Sequence, residues 1–120
     1  MQSPNVVVLQ NDSAVAESLL NSLKASFRYV QSTRSLSDLR AWIARNRAEV
    51  VVLDMEAASL AEISQLSHEF PKARIVCTHR IADEQMWTAA LNAGAADVCP
   101  SSDTRGILSA VMRVRAAAAA

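Results

Sequence analysis

Asp54 closes a run of four apolar residues, Val50-Val51-Val52-Leu53, three of them β-branched. Such a run reads as a strand covered on both faces, the kind found inside a parallel sheet. A carboxylate at the end of that strand is a candidate for chemistry, because ligands of open α/β sheets bind beyond the carboxyl ends of the strands. It could equally open a loop or cap a helix, and the strand alone does not choose between these roles. Few other chemistries are open to the chain. Two histidines and two separated cysteines give no Ser/His/Asp arrangement and no zinc spacing, and no paired catalytic acids stand out. Cys77 and Cys99 each lie in a short apolar run and read as small buried thiols rather than a disulfide or metal pair. His68, near a helix end before Pro71, reads as a surface residue.

The elements that must position these groups alternate along the chain. Strand-like runs begin near Asn5, Arg28, Glu49, Arg74 and Asp97. The first helical pattern, residues 13–25, carries Val15, Leu19 and Leu23, with Asp12 or Ser13 as N-cap. The second, 37–47, turns Leu39 and Ile43 inward and leaves Arg40, Arg45 and Arg47 to solvent. The third, 59–68, carries Leu60, Ile63 and Leu66 and stops before Pro71. The fourth, 83–93, buries Met86 and Ala90 and ends at Gly94. The fifth, 104–115, presents Leu108, Val111 and Met112. Five strands alternating with five helices predict a three-layer α/β fold, a parallel sheet with right-handed crossovers and helices on both faces. At this length the expected arrangement is flavodoxin-like, a (βα)5 unit with strand order 2-1-3-4-5. Its switch point brings the loop after Leu9 to Asp54, with Thr78 and the loop after Cys99 alongside.

The 120 residues suffice for one domain with one core, and the formal net charge is zero. That balance argues against a nucleic-acid binder, which would carry a basic patch. No apolar run approaches membrane-spanning length, and the N-terminus lacks the order of a signal peptide, so a soluble, cytoplasmic domain is expected. The domain is expected over residues 1–115. Residues 116–120, all Ala, read as the start of a linker or a cloning remnant.

Val50–Asp54, Ile75-Val76-Cys77-Thr78 and Ala90-Leu91-Asn92-Ala93-Gly94-Ala95-Ala96-Asp97, taken in order, resemble a response-regulator receiver domain of two-component signalling over nearly the whole chain. The resemblance implies that Asp54 is the phosphoacceptor position and Thr78 the hydroxyl that moves to bind the phosphoryl group. Other positions depart from the family. Gln10 and Asn11 stand where it places two acids for Mg²⁺, with Asp12 one place late. Ser101 and Ser102 replace a Lys usually followed by Pro, Val98 replaces the switch aromatic, and Ala58 a Pro. His79 follows Thr78 where a very small residue is usual, and reads as a plug over the pocket.

Each departure weakens a phosphoryl switch. Mg²⁺ usually needs one or two carboxylates, so any metal would rest weakly on Asn11, Asp54 and Glu56, and Asp12 suits a helix cap better. Losing the Lys removes an interaction worth on the order of 4 kcal/mol between unit charges at ~4 Å near a surface. Thr78 could return about 1.5–3 kcal/mol through a bond to a charged oxygen. Inverting a 1:99 equilibrium needs about 5.5 kcal/mol. Arg80, two residues past Thr78, could also pair with phosphate, although a loop Arg is more often solvated.

The leading expectation is therefore a pseudo-receiver: a signalling or protein-interaction module, not an enzyme, without a cofactor or with weakly held Mg²⁺. Its resemblance to active relatives implies contact with a second copy or an output domain through the helix 4–strand 5–helix 5 face, where Trp87, Leu91, Met112 and Arg115 are offered. An alternative is a working receiver phosphorylated on Asp54 by a histidine kinase. Another is a small-ligand or flavin-binding domain of the same fold, although the loop Gln10–Ala14 has no Gly to approach a flavin phosphate.

Overall fold

A computed structural model describes residues 5–81 and 83–119, with the side chains of the last helix described through Val114. The elements run β1 (Asn5–Leu9), α1 (Ser13–Ser26), β2 (Tyr29–Thr33), α2 (Leu36–Asn46), β3 (Val50–Asp54), α3 (Leu60–Glu69), β4 (Arg74–His79), α4 (Glu84–Asn92), β5 (Asp97–Pro100) and α5 (Thr104–Ala119). The strands form one parallel sheet in the order β2-β1-β3-β4-β5, as the alternation of periods predicts. Residues 116–119 continue α5. Arg115 also lies in that helix, and its side chain falls outside the described residues.

Local chemistry fixes where the helices begin. Asp12 caps α1, accepting from the Ala14 and Val15 amides; Ser35 caps α2 and Asp83 caps α4. Ser59 and Glu62 form a reciprocal capping box at the start of α3. Gly94 follows α4 at φ +115, and a Cβ there would lie 2.4 Å from Ser67 Oγ, so a turn this close to α3 requires glycine.

Every residue of β3 is buried. Because side chains alternate along a strand, the sheet feeds two cores. On one face Val7, Leu9, Val51, Leu53, Ile75 and Cys77 meet Leu39, Ile43, Ile63, Leu66 and Ala90 of α2, α3 and α4. On the other Val6, Val8, Val50, Val52, Val76 and Cys99 meet Leu19, Leu23, Ile107 and Val111 of α1 and α5. Cys77 and Cys99 are buried and free, on opposite faces of the sheet. Burial pushes the Cys77 thiol up to about 12 and the Cys99 thiol to about 11, which leaves both as unreactive thiols at neutral pH.

The faces of four helices differ from the sequence expectation. Leu60, the first residue of α3, is 43% exposed, because the inward stripe runs through Ile63 and Leu66. Arg40 is half-buried instead of solvated, pairing with Glu69 of α3 at 3.1 Å. In α5 the buried stripe is Ile107, Ala110, Val111 and Val114; this phase leaves Leu108 half-buried and Met112 outside. Met86 of α4 is likewise half-buried beside the buried Ala90.

Candidate functional site

The carboxyl ends of β1, β3 and β4 converge on Asp54. Parallel pairing sets Asp54 opposite Thr78, and Leu9 opposite Leu53, so the residue after β1 meets the last residue of β3. Asp54 is only 2% exposed, and Thr78 is fully buried. Groups this deep need hydrogen-bond partners, and the partners define the site.

Asp54 Oδ2 accepts from Gln10 Nε2 and from the Asn11 backbone N–H, both at 3.0 Å. Asp54 Oδ1 accepts from the Glu56 N–H at 2.9 Å. The Thr78 hydroxyl donates to Gln10 Oε1 at 3.1 Å. One neutral amide therefore spans the carboxylate and the hydroxyl. Its orientation follows from chemistry: a carboxylate can only accept, so the NH₂ faces Asp54 and the carbonyl oxygen faces Thr78.

The rim is engaged as well. Glu56 holds Arg80 Nε at 2.7 Å through its carboxylate, while its backbone carbonyl accepts from Asn11 Nδ2 at 3.3 Å. Asp12 turns its Oδ1 to the first amides of α1, at 2.9 and 3.2 Å. Ser101 is buried beside these groups, and its N–H donates to the His79 carbonyl at 2.9 Å. A pocket of 230 Å³ opens above them, walled by Gln10, Asn11, Asp12 and Val15 on one side and by Asp54, Glu56, Arg80 and Ser101 on the other. His79 does not line it. The ring instead takes the Ile81 N–H on Nδ1 at 3.0 Å, folding back on its own loop, so the plug expected from its position is absent. His68 is exposed, as its place in α3 suggested.

Sequence reasoning placed Asp54, Thr78, Ser101, Asn11, Asp12, Glu56 and Arg80 around one site, and the fold brings them together there. It missed what Gln10 does. Read as a lost carboxylate, Gln10 supplies both a donor and an acceptor; the one available signal was that a Gln side chain can do both. Among the described residues, no three His, Cys, Asp or Glu groups are placed to hold a metal ion. Trp87 and Leu91 on α4 and Met112 on α5 are exposed, Trp87 at 47%. No helix among the described residues is long and apolar enough to cross a membrane.

No family model and no curated protein matches this chain. Solved structures do. A CheY-like response-regulator receiver domain protein from Methanospirillum hungatei superposes with a TM-score of 0.85 at 14% identity, covering 98% of this chain and 97% of the other. The signal receiver domain of a NarL response regulator from Mycobacterium tuberculosis gives 0.81 at 17% identity, over 95% and 97%. The CheX–CheY–BeF₃–Mg²⁺ complex from Borrelia burgdorferi gives 0.80 at 17%, over 92% and 87%. The fold is that of receiver domains.

Proposed function

We propose that this chain is a receiver domain of two-component signalling that keeps the fold and has lost most of its phosphoryl switching, acting as a protein-interaction module and not as an enzyme. The observation that carries this reading is the Gln10 amide joined to Asp54 on one side and Thr78 on the other. Both lone pairs of Asp54 Oδ2 and one of Oδ1 are engaged. Admitting a phosphoryl group means separating Gln10 from both partners, and a buried group left unsatisfied costs about 1–3 kcal/mol.

The donor set also fits Mg²⁺ poorly. This hard cation takes carboxylates and other oxygens at short distance, and positions 10 and 11 are neutral amides. Of the weak set Asn11, Asp54 and Glu56, Asn11 donates its Nδ2 to the Glu56 carbonyl and keeps only a neutral Oδ1 to offer a metal, while the Glu56 carboxylate is paired with Arg80. Addition of beryllofluoride with Mg²⁺ is expected to leave the Asp54 and Thr78 amide resonances in place. A saturable shift at micromolar to low-millimolar levels would instead favour the second reading, a working phosphoacceptor served by a histidine kinase. That reading draws support from the register of Asp54 with Thr78 and from Arg80 at the rim.

The contact surface in this reading is the α4–β5–α5 face, used by a second copy or an output partner. Trp87 and Leu91 stand four residues apart on α4, hence on one side of it, with Met112 exposed on α5. A large exposed aromatic at such a place is the residue type that dominates interfaces. Trp87→Ala is expected to weaken self-association or partner binding by roughly tenfold or more, an interface loss of at least about 1.4 kcal/mol. Sedimentation velocity across a concentration series measures it, and an unchanged association state removes Trp87 from the contact.

A further inference from the structure

The two edges of the sheet are finished differently. β5, at one side, is four residues long, opens at Asp97, which is paired with Arg113, and ends in Pro100. Shortness, charge and proline are devices that keep an edge from pairing with another chain. β2, at the other side, is Tyr29-Val30-Gln31-Ser32-Thr33, with no charge, no proline and no break in its register with β1.

The free backbone groups of this edge can be named. Thr33 Oγ1 donates to the Val8 carbonyl at 2.9 Å, and the Glu49 N–H donates to the Asn5 carbonyl at 3.0 Å. Val8 therefore turns its backbone to β2, and Asn5 turns its own to β3. Because direction alternates along a strand, Gln31 and Thr33 face β1, while the N–H and C=O of Val30 and Ser32 face outward. Among the described residues only Gln31 Nε2 answers these outward groups, on the Ser32 carbonyl at 2.8 Å.

Independently, a groove of about 510 Å³ opens between α1 and the carboxyl end of β2, walled by Glu17, Leu20 and Lys24 and by Ser32 and Arg34. Lys24 and Arg34 have no ion-pair partner among the described residues, and Glu17 is the one acid in the groove's wall. Asp38, beside Arg34, accepts from the Arg34 N–H at 3.2 Å. Arg28 stands exposed just before the strand, so two arginines bracket β2.

We infer that the β2 edge and the α1–β2 groove bind an extended, acidic segment of a partner protein, which adds a strand beside β2 and lays alternate side chains in the groove.

The charges choose this occupant over a second copy. Antiparallel pairing of two β2 strands about Gln31 sets Arg28 of each copy opposite Arg34 of the other, and like charges directly opposite are destabilising. A segment with a carboxylate at each end meets both arginines instead. Main-chain bonds to Val30 and Ser32 supply the affinity of such a complex. Side chains set against Leu20 and Lys24 supply its specificity. The inference goes beyond the proposed function and does not rest on it, since β2 and β5 are opposite edges and Asp54 takes no part.

The test is a titration followed by amide resonances and amide hydrogen exchange. Its probes are the peptide Ac-Glu-Thr-Val-Thr-Val-Thr-Glu-amide and a twin with Lys in place of both Glu. The expected result is a saturable shift with the acidic peptide, binding at least roughly tenfold tighter than its twin. Exchange should slow at Val30 and Ser32, while Gln31 and Thr33, which face β1, change little. Arg28→Glu/Arg34→Glu alters two exposed positions, so the fold should survive, and it is expected to lose the acidic peptide and gain the basic one. No saturable shift, equal binding of both peptides, binding without slowed exchange at Val30 and Ser32, or a double variant with the parent's preference overturns the proposal. Protection of those two amides that grows with protein concentration alone assigns the edge to a second copy and overturns it too. Trp87→Ala is expected to leave the peptide titration unchanged, so this edge and the α4–β5–α5 face fail separately.

Discussion

The double variant Gln10→Asp/Asn11→Asp is expected to bind Mg²⁺ about ten- to a hundredfold more tightly than the parent chain. The reason is charge at short range. Each carboxylate introduced beside Asp54 adds an attraction to a nearby cation of between ~1 and ~4 kcal/mol per unit charge at ~4 Å, depending on how well water screens the site. Dehydrating the ion and crowding three carboxylates offset part of that gain, and every ~1.4 kcal/mol left over is tenfold in affinity. The same substitutions remove the amide that joins Asp54 to Thr78 and bring like charges together. Without metal the double variant should therefore melt below the parent, and added Mg²⁺ should raise its midpoint as a ligand that binds only the folded state. Titration calorimetry gives the affinity, and melting with and without Mg²⁺ gives the linkage. Equal Mg²⁺ affinity in parent and variant would mean that the amides at positions 10 and 11 do not limit metal binding. The proposal of a closed phosphoryl site would then lose its basis.

Leu53→Ala should be the most damaging single truncation near the site. Leu53 is fully buried one residue before Asp54, in the core shared with α2 and α3. Truncation removes buried methyl groups and leaves a cavity between strands that pair on both sides, a loss of about 2–5 kcal/mol in comparable cores. Domains of this size have about 5–15 kcal/mol in all, so a substantial fraction of the stability goes. Leu60→Ala, the same change at a 43% exposed position, should stay within about 0.5 kcal/mol. Urea unfolding separates the two: the Leu53 midpoint should fall with an unchanged slope and the Leu60 midpoint should hardly move. A Leu53→Ala loss below about 1 kcal/mol would contradict the packing of β3.

The sequence by itself determined the architecture. Runs such as Val50–Leu53 suit a strand covered on both faces, and the helical spacings that alternate with them leave a parallel sheet as the simplest way to bury them. It also determined the helix starts, since Asp12, Ser59 and Asp83 cap with their own side chains within three residues. It put Asp54 at the end of the central strand and Thr78 at the end of its neighbour. These are properties of neighbours along the chain, where local sterics and hydrogen bonding decide.

Only the tertiary structure decided which side of each helix faces the sheet. Leu60 and Met112 fit an apolar stripe on paper, yet the phase that buries Ile63 and Ile107 leaves them outside. It also decided what Gln10 does. The Gln10–Asp54 and Gln10–Thr78 bonds join residues 44 and 68 positions apart, so nothing local could announce them. Identity at each position tells which bonds a side chain can make; only the folded sheet, by fixing distances across β1, β3 and β4, tells which it does make.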